Sequence, residues 1–95
     1  MAFKLSFSTE AKDQLDGLTG DAKKLKRVKR CLGLISANPK HPGLRSHKYL
    51  AMKTEDRRDM WQSYVENNTP AAWRVFWYYG PESDRITIVA ITAHP

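Results

Sequence analysis

The strongest structural signal in the sequence is one stretch, Trp73–Tyr79, with the sequence Trp-Arg-Val-Phe-Trp-Tyr-Tyr. Aromatic and β-branched residues occupy both alternating sets of positions along it, which is typical of a central strand covered on both faces. Turn-forming residues follow at 80–84, and residues 85–92 form a second β-rich segment. The two segments predict an antiparallel hairpin, so the chain must build a sheet.

The segments that precede this hairpin predict one strand and two helices. Residues 3–7 alternate apolar and polar side chains and predict a first strand. Residues 9–18 predict a short amphipathic helix, and Asp21 is expected to cap a second helix that ends at Ala37, before Asn38-Pro39. The apolar positions of the second helix are Leu25, Val28, Leu32 and Ile35.

After the second helix, apolar and polar residues alternate again with a period of two. Strands are predicted at 44–49 and 61–65, with a polar loop at 53–59 between them. Strand, helix, helix and then a meander of strands predicts an α+β fold. We expect a two-helix hairpin packed on one face of a mostly antiparallel, twisted sheet of four to five strands, with a basic concave side left open.

Length and composition set the scale of the fold. The 95 residues, 41% hydrophobic and 27% charged, predict a single domain spanning 1–95. No apolar run is long enough to cross a bilayer and the first residues lack a signal-peptide core, so a cytoplasmic protein is expected. The single cysteine, Cys31, excludes an internal disulfide, and it is expected to pack as a small apolar residue.

The charge is strongly asymmetric. The net charge is +6, and the stretch 22–54 contains ten Lys or Arg residues but no Asp or Glu. A field of one sign concentrates polyanions, and nucleic acid is the commonest polyanion of a cytoplasm. The stretch therefore predicts a nucleic-acid partner, and the alternative is a solvated helix face kept soluble by its lysines.

Several large enzyme classes are excluded by their missing motifs. The sequence has no glycine-rich nucleotide loop, no H-E-x-x-H, no C-x-x-C pair and no G-x-S-x-G elbow. The histidines have no ligand spacing on a predicted element, so no metal or other cofactor is expected. What remains is general acid–base chemistry by histidine, arginine, lysine and tyrosine side chains.

Arg74 and His94 are the candidate catalytic residues. Antiparallel pairing of the last two strands places Arg74 opposite residues 90–92, with His94 just beyond, roughly 7 to 14 Å away along the strand direction. One phosphate would fit between them. The alternatives are an arginine whose stem packs on Trp61 or Phe76, and a frayed terminal histidine.

A second group of residues is predicted to bind RNA. Alternation along 44–49 places Arg45, His47 and Tyr49 on one face and Lys48 on the other, and these side chains can bind phosphate or stack on a base. The alternative is an exposed edge strand protected by its charges. The full predicted set is Arg45, His47, Lys48, Tyr49, Lys53, Arg57 and Arg58.

Taken together, the segments resemble the RelE/ParE superfamily of small basic bacterial toxins. The resemblance covers nearly the whole chain. It rests on the helical hairpin ending in Asn38-Pro39, on the element at 44–49, on the aromatic-Arg-Val-aromatic strand with Arg74, and on the end Ala93-His94-Pro95. It implies the RelE/ParE-like α+β fold and a cognate antitoxin as partner.

The resemblance also implies a function. RelE, YoeB and HigB types cleave mRNA with the help of the ribosome, whereas ParE types inhibit DNA gyrase. Arg74 matches the strand arginine that contacts the scissile phosphate, and His94 resembles the YoeB- and HigB-type C-terminal histidine that transfers a proton. Pro95 stands where YoeB types commonly have tyrosine, and Lys40 or His41 occupies the region of their general-base glutamate. We expect a metal-independent, ribosome-dependent mRNA endonuclease; the alternative is a gyrase inhibitor or another non-catalytic binding module of the same fold.

Overall fold

Two helices and five strands make up the computed structural model, which describes residues 2–66 and 72–93. Short 3-10 turns at Gly17–Gly20 and Pro42–Leu44 connect some of the elements. Neither helix in the described ranges is long and apolar enough to cross a bilayer. The elements are β1 (Lys4–Phe7), α1 (Thr9–Asp16), α2 (Ala22–Ala37), β2 (His47–Lys53), β3 (Asp59–Tyr64), β4 (Trp73–Tyr79) and β5 (Arg85–Ala93).

The strands form one sheet in the order β1-β5-β4-β3-β2. Three neighbouring pairs are antiparallel, and β1 pairs with β5 in parallel. The predicted α+β class is therefore confirmed, and the sheet is mixed. The parallel pair arises because the helices lie between the first strand and the meander, which returns the chain beside its start.

Side-chain caps fix where both helices begin. The Ser8 hydroxyl accepts a hydrogen bond from the Ala11 N–H at 3.0 Å and donates to the Val89 carbonyl at 2.7 Å, which ties α1 to β5. Asp21 accepts from the Lys24 N–H at 3.0 Å, which confirms it as the cap of α2. α1 ends two residues before the predicted end because Gly17–Gly20 tightens into a 3-10 turn.

The apolar faces of both helices pack on one side of the sheet. Val28, Leu32 and Ile35 are buried as the helical spacing predicts, and Cys31 is buried with them. Each large side chain buried in this way stabilises the fold by about 1.5–3 kcal/mol. The strand residues of this core lie on β4 and β5, and they are Val75, Trp77, Ile86, Ile88 and Ile91.

The second predicted strand starts at the wrong residue. The sequence predicts a strand at 44–49, whereas Pro42–Leu44 forms a 3-10 turn and β2 begins at His47. Leu44 is buried in the core at this turn, and Arg45 adopts a left-handed conformation with φ 48°. Arg45 belongs to this turn, and the alternating side-chain pattern of β2 begins only after it, at His47.

The loop between β2 and β3 is also shorter than predicted. β2 continues to Lys53, which leaves residues 54–58 as the connection. Backbone hydrogen bonds close it: the Arg57 N–H donates to Thr54 O at 2.9 Å, and the Thr54 N–H donates to Arg58 O at 3.1 Å. These bonds give the polar segment a defined turn.

Two glycines should respond in opposite directions to alanine. Gly80 has φ +117°, and a Cβ there would overlap the Arg58 guanidinium, whereas an added Cβ at Gly33 in α2 meets nothing within 4 Å. Gly80→Ala is expected to lower the free energy of unfolding by about 1–3 kcal/mol. Gly33→Ala is expected to raise it by about 0.5–1 kcal/mol. Urea denaturation of both variants measures this, and effects of the same sign would contradict the backbone assignment.

Candidate nucleic-acid interface

The side of the sheet away from the helices carries a set of polar and aromatic residues, which we call the open face. Pairing of Tyr64 with Arg74, and of Gln62 with Phe76, places these four side chains on that side. From the edge strand, His47 packs against the Tyr64 ring at 5.7 Å between centroids, and Tyr49 packs against Phe76 at 5.1 Å. The open face is His47, Tyr49, Gln62, Tyr64, Arg74, Phe76 and Thr92.

Arg74 is a fixed cation that has no anionic partner among the residues described on this face. Its Nη1 donates to Gln62 Oε1, and its Cζ lies 4.4 Å from the Tyr64 ring centroid. Its Nε is buried, and no group in residues 2–66 or 72–93 accepts a hydrogen bond from it. No carboxylate of the described residues lies within 4.0 Å of its nitrogens, although such a guanidinium ordinarily pairs with an anion. The arrangement is suited to binding a phosphate.

The register of the last hairpin agrees with the sequence analysis. Arg74 lies opposite Thr92 on β5, within the predicted range 90–92. Its guanidinium packs on Tyr64, whereas Trp61, one of the packing partners considered for it, points to the helix side. The other candidate catalytic residue, His94, lies outside the described residues.

The predicted RNA-binding segment is divided between the two sides of the sheet. His47 and Tyr49 reach the open face, and Lys48 points to the helix side, where its Nζ lies 5.8 Å from the Trp61 ring centroid. Arg45 was expected on the same strand face as His47, but it lies in the left-handed turn before β2 and lines a cleft together with Trp61. Neither Arg45 nor Lys48 therefore lies on the same face as Arg74.

The basic residues of the β2–β3 connection have different partners. Lys53 Nζ lies 3.6 Å from Asp59, and Arg57 is exposed with a left-handed backbone at φ 63°. Arg58 donates from Nε to Asp56 at 2.6 Å and from Nη1 to the Tyr79 carbonyl at 2.9 Å. Arg58 thus holds the connection against the end of β4.

A cleft on the helix side has aromatic walls and a basic rim, and we call it the aromatic cleft. It has a volume of about 440 Å³ and lies where the helices no longer cover the sheet, between the 39–46 segment and β3 and β4. Its principal lining residues are Pro39, His41, Arg45, Trp61, Trp77 and Tyr79. A second space of about 420 Å³ shares Trp61 and Tyr79 with it and extends it to Lys48 and Arg57.

Local charges keep the nearby carboxylates ionised. Hydrogen bonding and charge from Lys48, with Lys53 beside it, lower the pKa of Asp59. Hydrogen bonds from Thr54 and Arg58 lower the pKa of Asp56. Burial raises the pKa of the Tyr79 hydroxyl, which therefore remains a hydrogen-bond donor at neutral pH. Each carboxylate is matched by a cation, and the excess positive charge of the cleft is left for a ligand.

Sequence reasoning missed the residues that surround Arg74 and the residues that line the cleft. Gln62 and Tyr64 can be assigned to the site only once the β3–β4 register is known, because that register places them next to Arg74. Trp61 and Trp77 alternate as core residues do, and the sequence does not say where helix coverage ends. Among the described residues, no three His, Cys, Asp or Glu side chains group as metal ligands.

Comparison with known proteins identifies the fold. No family model and no curated protein sequence matches the chain. Among solved structures, a YoeB/ParE toxin from Agrobacterium tumefaciens has a TM-score of 0.75 at 13% identity, covering 98% of this chain and 100% of that one. The YoeB dimer from Staphylococcus aureus has a TM-score of 0.69 at 16% identity, covering 100% of both chains. The RelE–RelB complex from Pyrococcus horikoshii has a TM-score of 0.68 at 13% identity, covering 98% and 96%.

These similarities first identify the structural class of the chain. The chain is an α+β protein whose two helices cover one side of a mixed five-stranded sheet, the architecture of small toxin structures. More narrowly, it has the RelE/ParE toxin fold.

Phosphate should bind at Arg74. We expect inorganic phosphate to raise the thermal midpoint by several degrees over chloride at equal ionic strength, because the anion binds the folded state through this guanidinium. Arg74→Ala should remove most of the rise, and Arg30→Ala, an exposed position on α2, should keep it. Differential scanning fluorimetry measures both, and an undiminished rise in Arg74→Ala would contradict the assignment.

Cys31 should be unreactive in the folded protein. Burial raises its pKa to about 12, and its Sγ contacts the Tyr64 carbonyl at 3.6 Å. At pH 8 the thiolate fraction is then roughly a thousandfold below that of an ordinary cysteine, so a thiol reagent should label it slowly until urea unfolds the chain. Rapid labelling of native protein would show that Cys31 is accessible.

Proposed function

We propose that this protein is the toxin of a toxin–antitoxin pair and cleaves mRNA on the ribosome without a metal ion, using the open face as its active site. The observation that carries the proposal is Arg74, which has no carboxylate partner within the described ranges and is oriented by Gln62 and Tyr64 on a sheet face turned away from the helices. An RNA phosphate supplies the anion that this guanidinium lacks, and a bidentate arginine–phosphate contact fixes its position.

The reaction needs one base, one acid and one stabilising cation. The ribose 2′-hydroxyl loses its proton and attacks the adjacent phosphorus, and the bond to the 5′-oxygen breaks as that oxygen gains a proton. The products are a 2′,3′-cyclic phosphate and a 5′-hydroxyl. Arg74 stabilises the charge on the pentacoordinate phosphate, the role for which a fixed donor is most effective.

His47 is the base that the open face offers. Its Nδ1 lies 2.9 Å from the Arg45 carbonyl oxygen, which only accepts, so Nδ1 carries a proton and, in the neutral ring, Nε2 has the lone pair. Its ring packs on Tyr64, the residue that also carries the Arg74 guanidinium. A neutral histidine with a free Nε2 beside a phosphate site is competent to take the 2′-hydroxyl proton.

His94 is the proposed acid. It follows Ala93, which pairs with Trp73, the residue before Arg74. As the residue after Ala93 in the sequence, His94 is proposed to act beside Arg74. A protonated imidazole there donates to the leaving 5′-oxygen, so no metal ion is required.

The charge distribution supports a ribosomal substrate, and the fold supports an antitoxin partner. Exposed cations line α2, and an excess of positive charge promotes docking on a ribosomal RNA surface. RelE from Pyrococcus horikoshii, which has the same fold, was solved in complex with RelB. A bound antitoxin that covers the open face would keep this protein inactive in the cytoplasm. The exposed cations of α2 are Lys23, Lys26, Arg27, Lys29 and Arg30.

Inducible expression in a bacterium tests the activity. The wild-type protein should arrest growth and create discrete new 5′ ends on an abundant mRNA, detected by primer extension. Arg74→Ala, His47→Ala and His94→Ala should each reduce cleavage by about 10²–10⁴-fold, because each removes one contribution to the transition state.

Lys12→Ala, at an exposed position on α1 outside the proposed docking set, is the control and should cut mRNA as the wild type does, and circular dichroism should show all variants folded. Arrest without new mRNA ends but with an early DNA-damage response would replace the endonuclease by a gyrase inhibitor. Full cleavage by Arg74→Ala would remove the open face as the active site.

A further inference from the structure

We propose that the aromatic cleft is a second RNA-binding site, in which a base of a single strand packs on Trp61 and neighbouring phosphates pair with Arg45 and Lys48. This inference rests on the proposed function only in taking RNA as the polyanion. The cleft lies on the opposite side of the sheet from Arg74, so it binds a different part of the strand from the part that is cut.

The walls of the cleft are fixed before any ligand binds. The Trp77 indole N–H donates to the Ser63 hydroxyl at 2.8 Å, and the Ser63 and Ser46 hydroxyls are 2.6 Å apart. The 39–46 segment is also closed on itself, since the Gly43 N–H donates to His41 Nδ1 at 2.9 Å. His41 Nδ1 is thus an acceptor, and in the neutral ring Nε2–H is free to donate to a ligand. A preformed cleft loses little entropy on binding.

The aromatic groups provide a stacking surface. The Trp61 ring is partly exposed and stacks on the buried Trp77 at 5.8 Å between centroids with planes 15° apart. Tyr79 meets both indoles edge-on and holds their orientation. Bases of single-stranded nucleic acid bind to such surfaces with little sequence preference. The cleft and its extension, about 440 and 420 Å³, have room for a base with its sugar and phosphate.

The charge of the rim favours a polyanion over an acidic or neutral small molecule. Lys40, Arg45 and Arg57 have no carboxylate within 4.0 Å among the described residues. Lys48 pairs with Asp59 at 3.3 Å, and Lys53 shares that carboxylate. The unpaired cations follow the cleft from end to end, as a phosphate backbone requires.

The position of β2 connects the two surfaces. β2 is the edge strand of the sheet, and its neighbours His47 and Lys48 point to opposite sides. A strand of RNA that passes over this edge contacts the aromatic cleft on one side and Arg74 on the other. The cleft then anchors the RNA and increases the time that the scissile phosphate spends at the open face.

Binding of a short 2′-O-methyl RNA, which cannot be cleaved through its 2′-oxygen, tests the cleft without depending on catalysis. The variant is the double substitution Arg45→Asn with Lys48→Gln, because asparagine tolerates the left-handed conformation at position 45. Lys4→Gln with Lys12→Gln removes the same charge from exposed positions outside the cleft and outside the α2 docking set, and is the control.

Fluorescence anisotropy should show affinity about 10-fold weaker in the cleft variant. The slope of the logarithm of the binding constant against the logarithm of the salt concentration should be about 1.4 smaller, since two phosphate contacts that contribute about 0.7 each to this slope are lost. The control should change both far less. RNA should also quench tryptophan emission in the wild type and in Arg74→Ala, and Trp61→Phe should remove most of the quenching.

Equal losses of affinity in the cleft variant and the control would overturn the proposal, because the binding would then follow total charge. Unquenched tryptophan emission on a saturated complex would overturn it as well. Both outcomes are independent of mRNA cutting, so they separate a failure of the cleft from a failure of the endonuclease assignment.

Discussion

The hydrogen bond of a single buried indole organises both surfaces of this protein. Trp77 is 1% exposed, and its N–H must find an acceptor inside the core, which Ser63 provides. Ser63 in turn contacts Ser46, and this contact holds the segment that closes the aromatic cleft. Because Ser46 is fixed, β2 begins at His47 with its imidazole on the open face. The core, the cleft and the candidate active site thus share one polar connection.

Much of the fold follows from the sequence because its strongest signals are local. β4 has the predicted bounds, and α2 begins after its predicted cap and ends at Ala37. The turn position and strand lengths place Arg74 opposite residues 90–92, and the structure pairs it with Thr92 within that range. Arg45 was misplaced because its conformation depends on burial of Leu44, a tertiary contact that overrides strand propensity. Local pattern alone cannot show such a contact.

The candidate site was only partly predictable for a similar reason. Arg74 was predicted to contact a phosphate, but its orientation comes from Gln62 and Tyr64, which reach it through the β3–β4 register. The role of Trp61 depends on how far the helices extend over the sheet. These properties belong to pairs of elements that are distant in sequence. The residue types could therefore be predicted better than the surfaces on which they lie.

The strand order has a consequence for folding during synthesis. β5 is the last strand in sequence, yet it lies between β1 and β4, and most of the strand core depends on it. During translation both helices and the strands β1 to β4 leave the ribosome before β5. β5 is the strand that connects β1 to the rest of the sheet. Non-local pairing of this kind forms only after the connecting chain is complete. A chain with this topology cannot complete its sheet until β5 has emerged.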